Sequence, residues 1–477
     1  MNIYSLGINY RTEEPLLSQR DEEQFTQGIL RQFGAAPPTT GADEAGTGGR
    51  PAPVFREAAE VKRERTTDQG DPLTAGWTLL VNRDDPRRDD YLRILCPLAK
   101  LRGMKNPEQP LLFDGSPYTD WQDWLLENYT PTDLSDPPLY VLIVGGPEQV
   151  PFRFQSFLDA SAAVGRLDFE SPDDLAAYVE KVIALESAPA PVVGREALFF
   201  APDGGPADAT YFSRRFMADP LARMAEHELR FGVKRLLEVD ATRQQLRENL
   251  QGRHPALVYT ASHGLGAPDE PLETQRRLNG SIVCQREGRE KLRERLFTAD
   301  DIPRREPFLE GAVFFQFACF GYGTPARSDF ANWDPGLEAQ NAARDFVAAL
   351  PRRLLSHPRG PVAYLGHIDT AFLHGFDDPD DPDLGQRWSP RLKPFIEALK
   401  SLLNVQPVGL ALQEMNKRYN TANAYLTNLL ENNAASGTGL SREQLPRIAS
   451  SYILRNDAQN YMVLGDPAVR LRIPEAA

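Results

Sequence analysis

Cysteine is scarce in this chain: 477 residues carry three, Cys96, Cys284 and Cys319. Three scattered thiols exclude a disulfide framework and a thiolate zinc site, and point to reduced cysteines in a reducing compartment. Long apolar runs are missing too. No segment reaches the ~18 apolar residues of a membrane helix. The opening Met1-Asn2-Ile3-Tyr4-Ser5-Leu6-Gly7 lacks the basic and apolar regions of a secretion signal. The expectation is a cytoplasmic protein with no membrane association. Positive charge is in deficit, with 53 Lys and Arg against 67 Asp and Glu. Nucleic-acid binders carry basic surfaces, so no nucleic-acid partner is expected. Gly145-Gly146 lacks the third spaced glycine of a dinucleotide fingerprint. His367, His374 and the acidic run 377–383 match no standard ligand spacing. They read as an acidic surface loop, with bound calcium left open, and no cofactor is expected.

What is present is ordinary for a soluble globular protein: 41% hydrophobic and 25% charged residues, in a chain long enough for two or three subdomains. Residues 1–75 stand apart. A Pro/Gly-rich stretch, 37–53, lies between a polar segment, 13–31, and a charged one, 56–65. This reads as an appended element with a flexible middle. From Trp77 on, strand patterns at 77–81, 139–144 and 163–167 alternate with helical ones at 90–102 and 120–129. A further helix is capped at Ser171 and runs to about residue 186. Residues 187–193 read as a linker between two halves. The second half repeats the alternation: strand 197–201, helix 212–230, strand 233–237 and helix 242–250. Two strongly apolar strands follow, then a strand at 361–365 and a long helix at 394–416. The pattern predicts an α/β fold of mainly parallel sheets flanked by helices, in two α/β subdomains, 76–190 and 191–477.

The two apolar strands carry the chemistry. One is Ala256-Leu257-Val258-Tyr259-Thr260-Ala261-Ser262-His263-Gly264; the other is Ala312-Val313-Phe314-Phe315-Gln316-Phe317-Ala318-Cys319. Buried parallel strands read as continuous apolar runs, and their carboxyl ends are where α/β proteins place their reactive groups. An imidazole and a thiol at neighbouring strand ends form the minimum set for a cysteine nucleophile. Gly264 lets a backbone N–H approach a substrate oxygen. Phe320-Gly321-Tyr322-Gly323-Thr324-Pro325 turns the chain away directly after the thiol. Cys96 and Cys284 lack such a setting and are assigned to packing. Asp203 ends a third strand, in Pro202-Asp203-Gly204-Gly205-Pro206. That is a plain turn sequence, though a carboxylate there could also orient the imidazole.

These segments resemble the gingipain-type (C25-like) cysteine peptidases of the caspase–hemoglobinase fold. Tyr140-Val141-Leu142-Ile143-Val144-Gly145-Gly146 with Val150-Pro151 is similar to that family's strand before an Ile-Pro pair, and Val164-Gly165-Arg166 to its next strand. Tyr259 to Gly264 resembles the segment bearing the catalytic histidine, and Ala318-Cys319 the nucleophile pair. Gly360-Pro361-Val362-Ala363 and Leu464-Gly465-Asp466-Pro467 complete the order, over roughly residues 76–472. Ala261-Ser262 departs from the family's Thr-Gly. The resemblance implies a caspase-like fold, Cys319 as nucleophile and His263 as general acid and base. It also implies Gly264 and Cys319 N–H groups as oxyanion donors, Asp203 as the orienting carboxylate, and no cofactor. A protein or peptide substrate follows. A possible activating protein partner fits the fold's intracellular branches, which resemble regulated proteases of bacterial antiviral defence or cell death.

Specificity in this fold turns on one charged residue before the scissile bond. Asp369, in Gly366-His367-Ile368-Asp369-Thr370, lies where the resemblance places part of that pocket and suits a basic P1 residue. A loop aspartate capping a turn gives the same sequence. Arg214 or Arg215 would instead suit an acidic P1. The basic run 285–295 reads as a solvated helix face or, with a basic P1, as a self-processing site. Two other readings stay open: a catalytically silent scaffold, and a cysteine hydrolase of non-peptide amides or esters.

Overall fold

The computed structural model describes residues 2–17, 20–32, 68–130, 136–251, 253–330, 341–377, 389–436 and 444–475. The stretches 37–53 and 56–65, and 378–383 of the acidic run, lie outside the described residues.

Fourteen strands matter for the site. β1 is Gly7–Asn9, β2 Trp77–Asn82, β3 Leu111–Phe113, β4 Tyr140–Val144 and β5 Ala163–Leu167. β6 is Gly194–Ala201, β7 Gly232–Leu237, β8 Pro255–Ala261, β9 Gly264–Gly266 and β10 Ile282–Val283. β11 is Leu296–Phe297, β12 Val313–Phe317, β13 Ala363–His367 and β14 Tyr461–Leu464. Ten of them form one sheet in the order β3-β2-β4-β5-β14-β13-β12-β8-β6-β7. Every pair is parallel except β13 with β14. The two halves expected from the linker at 187–193 are therefore edge to edge in a single sheet. The sheet has two parallel blocks of opposite sense that meet at the β13–β14 seam, so β14, from the second half, lies in the block of the first.

The reason for parallel packing is visible in the burial. All seven residues of β8 and all five of β12 are buried, as for strands covered on both faces. The right-hand block, β13-β12-β8-β6-β7, points its carboxyl ends to one rim. His263, Cys319, Asp369 and the loop after Ala201 share that rim.

The helices expected from the sequence pattern form with two exceptions, beside others it did not signal, such as Phe152–Asp159 and Leu445–Gln459. α1 (Glu22–Gln32), α2 (Arg88–Leu101), α3 (Pro172–Ser187) and α4 (Ala209–Ser213) are joined later by α5 (Lys393–Leu403), α6 (Gln413–Ser436) and α7 (Leu445–Gln459). Ser171 caps α3 by accepting from the Asp174 N–H, as expected. The single helix expected over 394–416 is broken. The first helix ends at Leu403; Pro407, which lacks an amide hydrogen, precedes a short helix at Val408–Ala411, and α6 follows. The run 285–295 is largely exposed, as expected, but is helical only in a 3-10 turn at Leu292–Arg295, between the antiparallel strands β10 and β11.

The described residues of the 1–75 stretch pack into the fold. α1 packs against α7, with Phe25, Ile29 and Leu30 buried among Ile448, Tyr452 and Ile453. β1 joins a second sheet in the order β11-β10-β9-β1, which carries it to the same rim as His263.

Candidate active site

Strand register brings the two reactive groups together. β8 and β12 are neighbours, with Ala261 opposite Phe317, so His263 and Cys319 leave the sheet side by side. Their backbones touch at Gly264. A Cβ there would lie 1.9 Å from the carbonyl oxygen and 2.4 Å from the nitrogen of Cys319. Only glycine permits that approach, which brings the backbones of Gly264 and Cys319 into direct contact. The residue after the thiol, Phe320, holds a left-handed φ of 57°. Non-glycine residues adopt it at a cost, and functional sites often store such strain. Here the turn is fixed by the Phe320 N–H donating to the Asp369 carbonyl at 3.1 Å.

Each ring nitrogen of His263 meets an oxygen. Nε2 lies 2.8 Å from Oδ1 and 3.0 Å from Oδ2 of Asp208. Nδ1 lies 2.9 Å from the backbone carbonyl of Leu6. Both partners accept, so either ring nitrogen has an acceptor within reach whenever it carries a proton. Asp208 itself caps α4, accepting from the Thr210 N–H at 2.8 Å. Burial pulls its carboxyl up, but the bonds and charge of His263 and the Thr210 donors outweigh that and hold it below the usual range.

Asp203 therefore does not orient the imidazole. Its Oδ2 accepts from Arg214 Nε at 2.8 Å and its Oδ1 from the Gly205 N–H at 2.7 Å. Gln285 brackets its backbone from the other side. The turn reading of Pro202-Asp203-Gly204-Gly205 is the correct one, and Arg214 is spent on Asp203 and Glu238. The loop then doubles back. A Cβ on Gly204 would lie 2.5 Å from Cγ of Asp208, so glycine at 204 makes room for the carboxylate that reaches the ring. Sequence reasoning missed Asp208. Its signal was the Asp-x-Thr cap pattern at 208–210 within the same loop.

Cys319 is fully buried. Its Sγ accepts from the Ala371 N–H at 3.1 Å. Burial pushes the thiol up to about 12, the backbone bonds of Ala371 and Leu6 oppose this, and the charge of Asp369 adds to it. Cys284 is also fully buried, consistent with packing. Asp369 sits behind the rim with both oxygens engaged. It accepts from Ser328 Oγ at 2.9 Å, the Asp329 N–H at 2.7 Å, the Thr370 N–H at 2.8 Å and Asn341 Nδ2 at 3.3 Å. Burial, then the charge of Asp329, raise its carboxyl to about 7. His367 and His374 are buried, not part of a surface loop. Among the described residues, no group of three His, Cys, Asp or Glu could hold a metal ion.

The rim holds a thiol, an imidazole and nearby backbone donors, and a sequence model described as Peptidase family C25 matches residues 118–472, a span that includes His263 and Cys319. The chain belongs to peptidase family C25. It is a cysteine endopeptidase. Among solved structures it is similar to the complex of Porphyromonas gingivalis RgpB pro- and mature domains, at 13% identity and a TM-score of 0.45, over 83% of this chain and 79% of that one. The Arg-specific cysteine proteinase gingipain R (RgpB) gives 13% identity and a TM-score of 0.43 over the same shares. A structure described only as a protease gives 12% and 0.46, over 84% and 79%. No curated protein matches in sequence. Among the described residues of this C25 peptidase, no helix is long and apolar enough to cross a membrane.

Proposed function

We propose that this C25 peptidase cleaves extended polypeptide strands through Cys319 and His263, with Asp208 as positioning residue. The observation that carries this reading is the Leu6 carbonyl. It accepts from the Gly264 N–H and faces His263 Nδ1, both at 2.9 Å, and the Leu6 backbone also bonds toward Cys319 Sγ. A peptide carbonyl is thus already held by the group set that acyl transfer requires. In the reaction, Nδ1 of the neutral His263 ring takes the Sγ proton as Sγ bonds to the carbonyl carbon, and the C=O π pair moves onto oxygen against the N–H groups of Gly264 and Cys319. The C–N bond then breaks as Nδ1 of His263 protonates the leaving amine. Water, deprotonated by the same nitrogen, releases the acid and restores the thiol. Asp208 holds the far nitrogen and offsets the ring's charge throughout.

A basic residue before the scissile bond is the preference we assign. Its support is Asp369: Ser328, Thr370 and Asn341, all donors to this carboxylate, line a cavity of about 760 Å³ beside Phe320. An arriving cation would hold the carboxyl ionised where burial otherwise favours its neutral form. We further assign an intracellular, regulated role, of the kind met in bacterial defence or cell-death proteases, with a protein partner as activator. All three cysteines are unpaired, and the reactive thiol is covered at rest. A peptide library with varied P1 residues tests the reading. Cleavage after Arg or Lys by the wild type, lost in Cys319→Ala, is expected. Equal cleavage by both proteins would remove it.

A further inference from the structure

Residues 4–9 thread the rim between Cys319 and His263, and their backbone bonds follow one pattern. On one side, the Leu6 N–H donates to the Ala371 carbonyl at 3.0 Å and the Leu373 N–H donates to the Tyr4 carbonyl at 3.2 Å. Ser5 pairs antiparallel with Phe372. On the other side, β1 pairs parallel with β9, Gly7 opposite Gly264. The chain bridges two walls that otherwise belong to different segments. The Leu6–Gly7 peptide lies where the walls meet, with its carbonyl on Gly264 and His263. Leu6 is fully buried and belongs to the main hydrophobic cluster.

We propose that Tyr4–Asn9 is an intramolecular strand that occupies the channel between Cys319 and His263, and that it holds the peptidase at low activity until it is displaced. The proposal rests on Cys319 and His263 being the active site. Main-chain pairing on two sides supplies the affinity, as in strand addition generally. Being part of the same chain, the strand competes at a high effective concentration. Its anchor is a hairpin outside the channel: the Asn9 N–H donates to the Glu14 carbonyl and the Leu16 N–H to the Gly7 carbonyl, both at 2.9 Å. Two surface ion pairs tie that hairpin down, Arg11 with Glu270 and Glu13 with Arg286, each at 2.8–2.9 Å. They are exposed and screened by salt. A partner that captures the hairpin would free the channel without touching the catalytic groups.

The test reads the thiol directly, so it is independent of peptidase activity. Full-length wild type, Leu6→Asp and the double variant Arg11→Ala/Glu13→Ala are treated with iodoacetamide, and Cys319 alkylation is followed by peptide mass spectrometry. Leu6→Asp buries a charge in the strand and should raise the Cys319 rate on the order of 100-fold. The double variant leaves the channel sequence intact and should raise it a few-fold, about 3 to 10. A synthetic Tyr-Ser-Leu-Gly-Ile-Asn peptide should slow both variants again. An unchanged alkylation rate in both variants, with circular dichroism showing the folded state, overturns the proposal. So does cleavage of the wild type between Leu6 and Gly7 during turnover, which would make the strand a substrate. Faster alkylation without peptide cleavage would uphold the strand as a cover while removing the peptidase reading of the site.

Discussion

Asp208 Oδ1 lies 2.8 Å from Nε2 of His263, while Asp203, in the same loop, is turned to Arg214. Two carboxylates compete for one role, and the ring meets the one that caps a helix.

Exchange of each carboxylate separates them. Asp208→Asn should lower kcat by roughly 10²–10⁴-fold, because the amide no longer neutralises the ring or fixes its tautomer. Asp203→Asn should leave kcat within roughly threefold and act on stability alone. Asp208 is held below the usual range when folded, so its stabilisation is full above that range and is lost as pH falls below about 4. Acid denaturation followed by fluorescence should be less steep in Asp208→Asn than in the wild type.

Gly264 is the tightest backbone approach in the site. Gly264→Ala drives a methyl into the Cys319 backbone, so stability should fall by on the order of 3 kcal/mol, and activity should vanish even where the chain still folds. Urea unfolding and a fluorogenic peptide assay check the two effects; an active, fully stable variant would contradict the geometry.

Burial, then the charge of Asp329, push the Asp369 carboxyl up to about 7 in the folded protein. A raised value means the folded state favours the neutral acid. Stability from this group is therefore full below the usual carboxylate range and declines as pH rises towards 7. Asp369→Asn should flatten the urea midpoint between pH 4 and pH 8, in the same window as a carboxylate's departure from about 4. The same variant should lower kcat/KM for Arg and Lys substrates on the order of 100-fold and leave uncharged P1 residues unaffected.

A thiol at about 12 is almost wholly protonated near neutrality. Alkylation of Cys319 in the wild type should climb about tenfold per pH unit from pH 7 to 10, with no plateau. A plateau below pH 9 would show that the thiol ionises readily at rest.

The strand ends were legible because β8 and β12 must be apolar throughout to lie in a sheet covered on both sides. Gly264 and the turn after Cys319 carried equally local signals. Asp208 was hidden, since Asp203 and Asp208 both occupy turn or cap sequences and only the path of the loop ranks them. The antiparallel seam between β13 and β14 was hidden as well. A single strand's residues fix its burial, not the direction of its neighbour.

By itself the sequence determined the α/β alternation, the thiol and imidazole at strand ends, and membership of a peptidase family. The first two follow from residue type and short spacing, where periodicity and backbone preference act, and the third from the resemblance of several short segments in one order. Tertiary structure alone decided which carboxylate serves His263 and what covers Cys319. Both depend on contacts between residues far apart in the chain, Leu6 with His263 above all, and such contacts are set by how the loops close and not by the residues at either end.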